Sequence, residues 1–222
     1  MSDKRHAFAT DAITVTWSKA RCIHAAECVR RLPMVFEPGR RPWVTPDAAS
    51  ADRVAQVVEA CPTGALQHTR HDGGAAEAAP TVNTVRLTRN GPTYLKGRLE
   101  LIGPDGEVAM RETRMAICRC GASRHKPLCD NAHREAGFSD AGAISDLDSV
   151  QDPGAPGGAL RVIPHANGPL QLEGPFALAS ADGATMLAGT STWLCRCGQS
   201  QSKPFCDGSH AAAGFTAEGV PD

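Results

Sequence analysis

Two stretches of the chain, CRCGASRHKPLCDNAH (residues 118–133) and CRCGQSQSKPFCDGSH (residues 195–210), decide how the sequence is interpreted. Both follow the spacing C-x-C-x8-C-x3-H, and the second begins 77 residues after the first (195 − 118 = 77). Similarity at a fixed interval indicates a duplicated module. The candidate ligands are Cys118, Cys120, Cys129 and His133 in the first copy, and Cys195, Cys197, Cys206 and His210 in the second.

The repeat extends upstream of the cysteines. Asn90-Gly91-Pro92 matches Asn167-Gly168-Pro169, and Asp105-Gly106 matches Asp182-Gly183. Such dipeptides favour tight turns between strands. The first copy therefore predicts strands over 81–87, 93–102 and 107–113, and the second copy predicts the same small β meander, each leading into a cysteine loop. After each loop, one or two helical turns are predicted over 132–136 and 209–213.

Three thiolates and one imidazole form a complete four-ligand set in each copy. The C-x-C spacing places two sulfurs close together, which suits two ligands of the same metal ion. A Cys3His set is suitable for structural zinc as well as for iron. Spacing alone leaves both metals open.

The residues around the ligands resemble a known family. CDGSH at 206–210, with Ser200 and Lys203-Pro204 upstream, is similar to the signature of the CDGSH iron-sulfur (NEET) family, and residues 118–133 fit the same pattern. The resemblance implies a [2Fe-2S] cluster in each copy, with one iron held by the C-x-C pair and the other by the third cysteine and the histidine. Family members pair two modules under a shared β cap, so we expect an intramolecular pseudo-dimer, with the chain a monomer of internal pseudo-two-fold symmetry.

The first copy departs from the signature at two positions. Asn131 replaces Gly208, and Ala132 replaces Ser209. Since asparagine tolerates the left-handed backbone region better than most residues, Asn131 is expected to preserve the turn. The lost hydroxyl is expected to change the properties of a cluster and not its ligation.

Two charged pairs accompany the ligands. Asp130 and Asp207 precede the predicted helical turns, so their carboxylates are expected to cap those turns and orient the histidines. Lys126 and Lys203 either stabilise the negative charge of a reduced cluster or are simply solvated. The sequence does not decide between these two roles.

A third group of cysteines lies near the N-terminus. CIHAAECVRRLPMVF, with Cys22 and Cys28, and a distant Cys61-Pro62 resemble a divergent mono-cluster ferredoxin domain. Ala25 occupies the position of a ligand that the common C-x2-C-x2-C loop would supply. Three thiolates suit a [3Fe-4S] cluster, or a [4Fe-4S] cluster completed by His24 or by solvent. A scaffold without a cluster is the alternative.

Composition excludes several classes of protein. The 222 residues carry 23 Lys and Arg against 24 Asp and Glu, a formal net charge of −1, which does not favour binding to nucleic acid or to an anionic membrane. No apolar stretch is long enough for a membrane span, and the N-terminus does not resemble a secretory signal, so a cytoplasmic protein is expected. Nine cysteines are an odd number, which favours metal ligation over a closed set of disulfides.

The predicted fold class is α+β, in three domains. Stretches 71–80 and 142–158 are rich in Gly, Pro and Ala and are predicted linkers. They separate a ferredoxin-like α/β domain at 1–70 from CDGSH-type modules at 81–141 and 159–222. The first domain is expected to contain a strand at 12–17 and a helix at 51–60, in a βα…αβ arrangement.

The leading functional hypothesis is electron transfer by a protein with two [2Fe-2S] clusters and a third cluster in the first domain. No phosphate-binding loop, dinucleotide fingerprint or nucleophile motif is found, so an enzyme is not expected. Expected partners are other redox proteins or apo iron-sulfur proteins. The alternatives are a cluster donor in assembly or homeostasis and, further, a zinc-stabilised interaction module.

Overall fold

The computed structural model describes residues 4–144 and 157–218. The chain forms two compact units, and the division between Ala78 and Ala79 lies inside the first predicted linker. Most of the second predicted linker, residues 145–156, lies outside the described residues, as do residues 1–3 and the last four residues of the third predicted domain. In the described part of the chain, no helix has the length and apolar character needed to cross a bilayer.

The first unit combines a small sheet with short helices. Its elements are β1 (Arg5–Ala9), β2 (Ile13–Ser18), α1 (Glu27–Arg31), a 3-10 helix (Pro46–Ala48), α2 (Ala51–Glu59) and β3 (Leu66–Arg70). The three strands are antiparallel in the order β1-β2-β3. The strand expected at 12–17 and the helix expected at 51–60 are both present.

Helix α2 supplies the main apolar surface of this unit. Val54, Val57 and Val58 lie on one side of the helix and are fully buried, which follows from their helical spacing. Ser50 caps the helix, since its hydroxyl accepts a hydrogen bond from the backbone N–H of Arg53 at 3.4 Å. The helix packs with Val15 and other apolar residues into one core.

The second unit contains both repeats. Its strands are β4 (Thr84–Leu87), β5 (Thr93–Ile102), β6 (Val108–Ile117), β7 (Leu160–Pro164), β8 (Leu170–Ala179) and β9 (Met186–Leu194). One short helix follows, α3 (Ser209–Ala212), while residues 132–137 form turns. With the first unit, this gives the mixed α+β class predicted from the sequence.

The two meanders interlock in one six-stranded sheet. β5 pairs antiparallel with β6, as β8 does with β9. β4 lies between β5 and β8 and pairs antiparallel with β5 and parallel with β8, while β7 pairs parallel with β5 and antiparallel with β8. The first strand of each repeat, β4 or β7, therefore pairs with the second strand of the other repeat. The sheet is thus a cap that both repeats share.

Alternating burial along the strands builds the core of this unit. Leu95, Leu99 and Leu101 of β5 are buried, with polar residues between them, and Leu170 and Leu172 of β8 are buried on the matching face. All five belong to one hydrophobic cluster with residues from both repeats. Because residues of both repeats form this one core, the sheet fixes the position of the two cysteine loops relative to each other.

Candidate metal centres

Each cysteine loop begins where the third strand of its repeat ends. In the first repeat, Cys118 follows β6, and its N–H donates to the carbonyl of Pro127 at 2.9 Å. The N–H of Cys129 donates to the carbonyl of Ala116 at 2.8 Å. The second repeat has matching bonds, from Cys195 to Pro204 at 2.8 Å and from Cys206 to Trp193 at 2.9 Å. These bonds fold the loop back so that the third cysteine returns beside the C-x-C pair.

The four candidate ligands of each repeat form two close pairs. In the first repeat, the sulfurs of Cys118 and Cys120 are 3.6 Å apart, and the Cys129 sulfur is 3.5 Å from Nδ1 of His133. In the second repeat, the corresponding distances are 3.6 Å between Cys195 and Cys197, and 3.3 Å between Cys206 and His210. All eight predicted ligands are therefore placed in matching pairs.

These separations suit ligands that share one metal ion. Two sulfurs bound at about 2.3 Å to a tetrahedral ion lie about 3.8 Å apart, and a sulfur and an imidazole nitrogen lie about 3.5 Å apart. The nine cysteines are free thiols. Within residues 4–144 and 157–218, Cys, His, Asp and Glu side chains do not form groups of three or more around one point. Two donor pairs per loop fit a binuclear group in which each iron takes two protein ligands.

Backbone N–H groups point at the ligand sulfurs. Ala122 N–H donates to the sulfur of Cys120, Asn131 N–H to that of Cys129, and Gln199 N–H to that of Cys197, each at 3.4 Å. Such bonds favour the thiolate over the thiol and tune the potential of a cluster. The loops thus carry the hydrogen-bond donors that an iron-sulfur group requires.

The other polar residues of the motif hold the loop together. Ser123 Oγ donates to the carbonyl of Leu128 at 2.7 Å, and Lys126 Nζ donates to the carbonyl of Ser123 at 2.7 Å. Ser200 and Lys203 make the matching bonds in the second repeat, to the carbonyls of Phe205 and Ser200. Both lysines are therefore half-buried, and their ammonium groups bind the backbone of the loop.

The aspartates do not cap helices as expected. The N-cap of α3 is Gly208, and it makes no capping bond through a side chain. Instead, Asp207 accepts from the N–H of Ser209 at 3.0 Å and from that of Gln201 at 2.8 Å. Asp130 likewise accepts from the N–H of Ala132 at 3.1 Å and from that of Arg124 at 2.9 Å. Each carboxylate thus ties two parts of the loop together one residue before the turn begins, because an Asp at this position reaches the N–H two residues ahead.

Asn131 preserves the turn as expected. Its φ is 77°, close to the 87° of Gly208 at the matching position. Both residues lie in the left-handed region that favours glycine and, among other residues, asparagine. The backbone path to the histidine is therefore the same in both repeats.

The protonation equilibria of the first site differ from one candidate ligand to the next. The contact with Cys120 lowers the pKa of Cys118 to about 6 and raises the pKa of Cys120, while burial raises the pKa of Cys129 to about 12. Burial also lowers the pKa of His133, so that its ring is neutral at neutral pH. A neutral imidazole can ligate a metal directly, whereas the buried thiols must lose protons when the metal binds.

The two C-x-C loops pack back to back. Gly121 lies against the backbone of Cys197, and Gly198 lies against the backbone of Cys120. Arg119 and Arg196, the central residues of the two pairs, are buried. Burial lowers the pKa of Arg196 to about 10, so its guanidinium remains charged at neutral pH. The sequence repeat identified both arginines as a matched pair but did not indicate what they contact.

The three cysteines of the first unit line one cavity. Cys22, Cys28 and Cys61 surround it together with Ala25, the residue at the missing ligand position. Burial, followed by the nearby Cys61 thiol, raises the pKa of Cys28 to about 11. The cavity wall includes both Trp17 and Trp43, whose buried indole N–H groups have no hydrogen-bond partner in the part of the chain that the structure describes. Unused donors beside three thiols fit a sulfur-rich group, since buried donors normally find an acceptor. No local pattern in the sequence indicated that these two indoles lie at the cavity.

His24 does not lie in that cavity. Its backbone has φ of 56°, and its exposed side chain lines an adjacent groove of about 730 Å³ that shares only Cys22, Cys28, Ala26 and the two indoles with the cavity. His24 thus borders the groove beside Cys22 and Cys28, and not the cavity that all three cysteines line.

Comparison with known families matches this division of the chain. The family model for the divergent 4Fe-4S mono-cluster domain matches residues 8–71, and the model for the CDGSH-type iron-binding zinc finger matches residues 90–134 and 167–211. Uncharacterized protein YjdI of Escherichia coli K12 is 38% identical over 61 residues, which is 28% of this chain and 79% of that protein. The relative in Escherichia coli O157:H7, also uncharacterized protein YjdI, gives the same values. No solved structure matches the chain significantly.

The matched ranges contain all nine cysteines together with His133 and His210. An iron-sulfur protein is the coarse identity that the matches and the geometry both support. The chain therefore contains a divergent 4Fe-4S mono-cluster domain at residues 8–71, followed by two tandem CDGSH-type iron-binding modules at residues 90–134 and 167–211.

Proposed function

We propose that this protein transfers electrons through two [2Fe-2S] clusters, one in each repeat. The observation that carries the proposal is the pairing of the ligands, with sulfur-sulfur distances of 3.6 Å and sulfur-nitrogen distances of 3.5 and 3.3 Å. Two separate pairs supply four ligands to two irons, as a binuclear cluster needs. A single tetrahedral zinc would require all four donors around one point.

A third cluster, of the [3Fe-4S] or [4Fe-4S] type, belongs in the first domain under the same proposal. Its support is the cavity bordered by Cys22, Cys28 and Cys61, together with the two indole N–H groups that find no acceptor among residues 4–144 and 157–218. Three thiolates suffice for a [3Fe-4S] cluster. A [4Fe-4S] cluster would take its fourth ligand from solvent through the adjoining groove.

The chain's own residues support a carrier and not an enzyme. A bound cluster supplies one-electron oxidation and reduction. Around it, the motif serines, lysines and aspartates are used to hold the loops, and backbone N–H groups stabilise negative charge on the sulfurs. The back-to-back loops bring the two sites close together within one chain, and we propose that the protein works as a monomer. The partners would be other redox proteins that dock weakly at the exposed loop edges.

The test is chemical analysis of the full chain after anaerobic reconstitution. We expect a red-brown protein with about four iron and four acid-labile sulfide in the repeats, plus those of the first domain, and visible absorbance that bleaches with dithionite. Cys129→Ser and Cys206→Ser form a matched pair, and each is expected to remove about two iron atoms. A colourless protein that contains zinc and no sulfide would refute the proposal in favour of the zinc-stabilised module.

One observation favours a second function, donation of clusters to apo-proteins. In the first repeat, Cys129 and His133 are only 3% and 8% exposed, whereas Cys206 and His210 of the second repeat are half-buried. The second site thus offers an incoming thiol easier access to one iron. Incubation of the reconstituted protein with an apo-ferredoxin distinguishes the two functions. Transfer of the cluster supports donation, whereas reduction of an oxidised partner with the clusters retained supports electron transfer.

A further inference from the structure

The two C-x-C pairs surround equivalent arginines. Arg119 and Arg196 are 6% and 2% exposed, and each guanidinium faces a phenylalanine ring at 5.4 and 5.5 Å, respectively. Each Nε donates at 2.9 Å to the glycine carbonyl of its NGP turn, and each Nη2 donates to the carbonyl three residues before that glycine. The acceptors are Gly91 and Thr88 for Arg119, and Gly168 and His165 for Arg196.

The remaining nitrogen distinguishes the two arginines. Nη1 of Arg119 donates to Oδ1 of Asp140 at 2.6 Å, and this carboxylate is itself 12% exposed. The matching residue in the second repeat, 77 positions later (140 + 77 = 217), is Ala217. Nη1 of Arg196 is buried and has no hydrogen-bond partner among the described residues. The buried cation is neutralised in the first repeat and unpaired in the second.

The backbone at these two positions is the same. The backbone N–H of Asn90 donates to the carbonyl of Asp140 at 2.8 Å. The backbone N–H of Asp140 donates to the side-chain amide oxygen of Asn90, also at 2.8 Å. Ala217 and Asn167 exchange the same two bonds at 2.9 Å. Position 217 therefore approaches Arg196 as position 140 approaches Arg119, and the carboxylate is what differs.

We propose that the missing carboxylate at position 217 makes the second repeat the easier of the two to reduce, so that an electron entering either repeat comes to rest in the second. This inference rests on the proposed function, since it requires a [2Fe-2S] cluster in each repeat. Reduction adds one negative charge to a site. Arg196 lies between Cys195 and Cys197, two candidate ligands of the second repeat, and its charge also acts on Cys118 of the first repeat. A buried cation without a carboxylate partner stabilises negative charge on the site whose ligands flank it, whereas a cation already paired with a carboxylate does so much less.

Exposed charges near the loops act in the opposite direction but more weakly. The first repeat carries Arg124, Arg134 and Glu135 where the second has Gln201, Ala211 and Ala212, and the second repeat carries the exposed Glu218 where the first has Ala141. Arg124 faces Asp130 at 3.9 Å, and Arg134 and Glu135 are exposed with opposite signs. Solvent and salt screen such charges over about 8 Å at physiological ionic strength. The buried guanidinium is screened far less and outweighs them.

The redox step itself is simple. One electron from an external one-electron donor converts one ferric ion to ferrous, and no covalent bond forms or breaks. Transfer between the repeats has a short route, because the loops touch where Gly121 meets Cys197 and Gly198 meets Cys120. Arg196 takes part only through its charge, as a residue that sets the potential of its neighbour.

The experiment is a potentiometric titration of the reconstituted full chain, with dithionite as reductant, followed by the electron paramagnetic resonance of the [2Fe-2S] clusters. Cys206→Ser and Cys129→Ser each leave one repeat cluster and assign the two steps. We expect the second repeat to be reduced first. We expect Ala217→Asp to lower its potential toward that of the first repeat, changing its ratio of reduced to oxidised form on the order of tenfold at a fixed potential, as a unit charge about 10 Å away would. Ala217→Asn is the neutral control and is expected to leave the order unchanged.

A second variant removes the carboxylate that neutralises Arg119 in the first repeat. Asp140→Asn keeps an oxygen that can accept from Arg119 and removes the negative charge, so it is expected to raise the potential of the first repeat. This variant still decides the matter if Ala217→Asp does not fold. Equal potentials that neither variant moves, or reduction of the first repeat before the second, would overturn the inference while the clusters remain reducible. A protein with no sulfide and no bleaching would overturn the proposed function, and this inference with it.

Discussion

Gly121 packs directly against the carbonyl oxygen of Cys197. A β-carbon built on Gly121 would stand 2.6 Å from that oxygen, and one built on Gly198 would stand 2.9 Å from the carbonyl oxygen of Cys120. Both glycines also have left-handed φ values, 78° and 80°. The sites of the two repeats therefore approach each other at a point where only glycine fits, in both its backbone conformation and its lack of a side chain.

Gly121→Ala is predicted to destabilise the protein more than Gly137→Ala. Gly137 has φ of 61° and open space around it, so alanine there costs only the left-handed conformation, about 1–2 kcal/mol. Alanine at 121 adds a clash with backbone, which cannot yield as a side chain can, and is expected to cost about 1–3 kcal/mol more. Thermal unfolding of the reconstituted variants measures the difference. Equal losses of stability in Gly121→Ala and Gly137→Ala would show that the two C-x-C loops do not pack against each other.

The first domain is predicted to hold iron independently of the repeats. Replacing Cys22, Cys28 and Cys61 together by Ser removes the three thiols from one cavity and leaves the residues of the second compact unit unchanged. We expect loss of the iron and sulfide of this domain, with the [2Fe-2S] absorbance retained. Iron analysis, together with the visible spectrum, provides the measurement. An unchanged iron content would identify the domain as a scaffold without a cluster.

Local sequence signals predicted some of this structure well. Strand β5 spans Thr93–Ile102, the range expected from its alternating pattern between the NGP and DG turns. Strand β6 continues to Ile117 and not 113, because Met115, Ala116 and Ile117 are buried without alternation. The structure also brings close together the C-x-C pair expected from spacing and the Cys-x3-His pair implied by the family resemblance, since both are local contacts.

Contacts between distant residues could not be predicted in this way. The pairing of β4 with β8 joins residues about 90 positions apart, such as Val85 and Leu178, and depends on a core that both repeats build together. Likewise, Asp140 reaches Arg119 across 21 residues, although no local pattern distinguishes it from a solvated aspartate. The expectation that Asp207 caps a helix was wrong because the turn starts one residue later, at Gly208.

Ala25→Cys is predicted to supply the missing ligand of the first domain. Ala25 lines the cavity with the three cysteines, so a thiol there can reach the same group. We expect a change from the magnetic signature of a [3Fe-4S] cluster to that of a [4Fe-4S] cluster, or a more stable [4Fe-4S] cluster where one is already present. His24→Ala is the control, and it is expected to leave the signature unchanged because His24 lines only the adjacent groove. Loss of the cluster in the control would instead identify His24 as a ligand.

The last prediction concerns acid sensitivity at His133 and His210. Burial holds the pKa of His133 below its usual value, so the folded protein keeps this ring neutral. As the pH falls below about 6.5, the unfolded or released ring takes up a proton more readily than the bound one, so both stability and cluster retention decrease. The buried thiol of Cys129 acts in the same direction, since its pKa of about 12 without metal means that it regains a proton when the cluster leaves. Loss of the cluster is expected to accelerate by up to about tenfold per pH unit for each proton taken up.

His133→Cys replaces the imidazole by a thiolate that donates more charge, and is expected to lower the potential of the first cluster, flatten its pH dependence and slow its loss near pH 6. His210→Cys is expected to do the same in the second repeat. His125→Gln, which removes an imidazole from the same loop without touching the ligand pairs, is the control and should behave as the parent. Decay of visible absorbance between pH 5.5 and 7.5, together with redox titration at each pH, gives both quantities. If the two cysteine variants lose their clusters with the same pH slope as His125→Gln, protonation of these histidines does not control release.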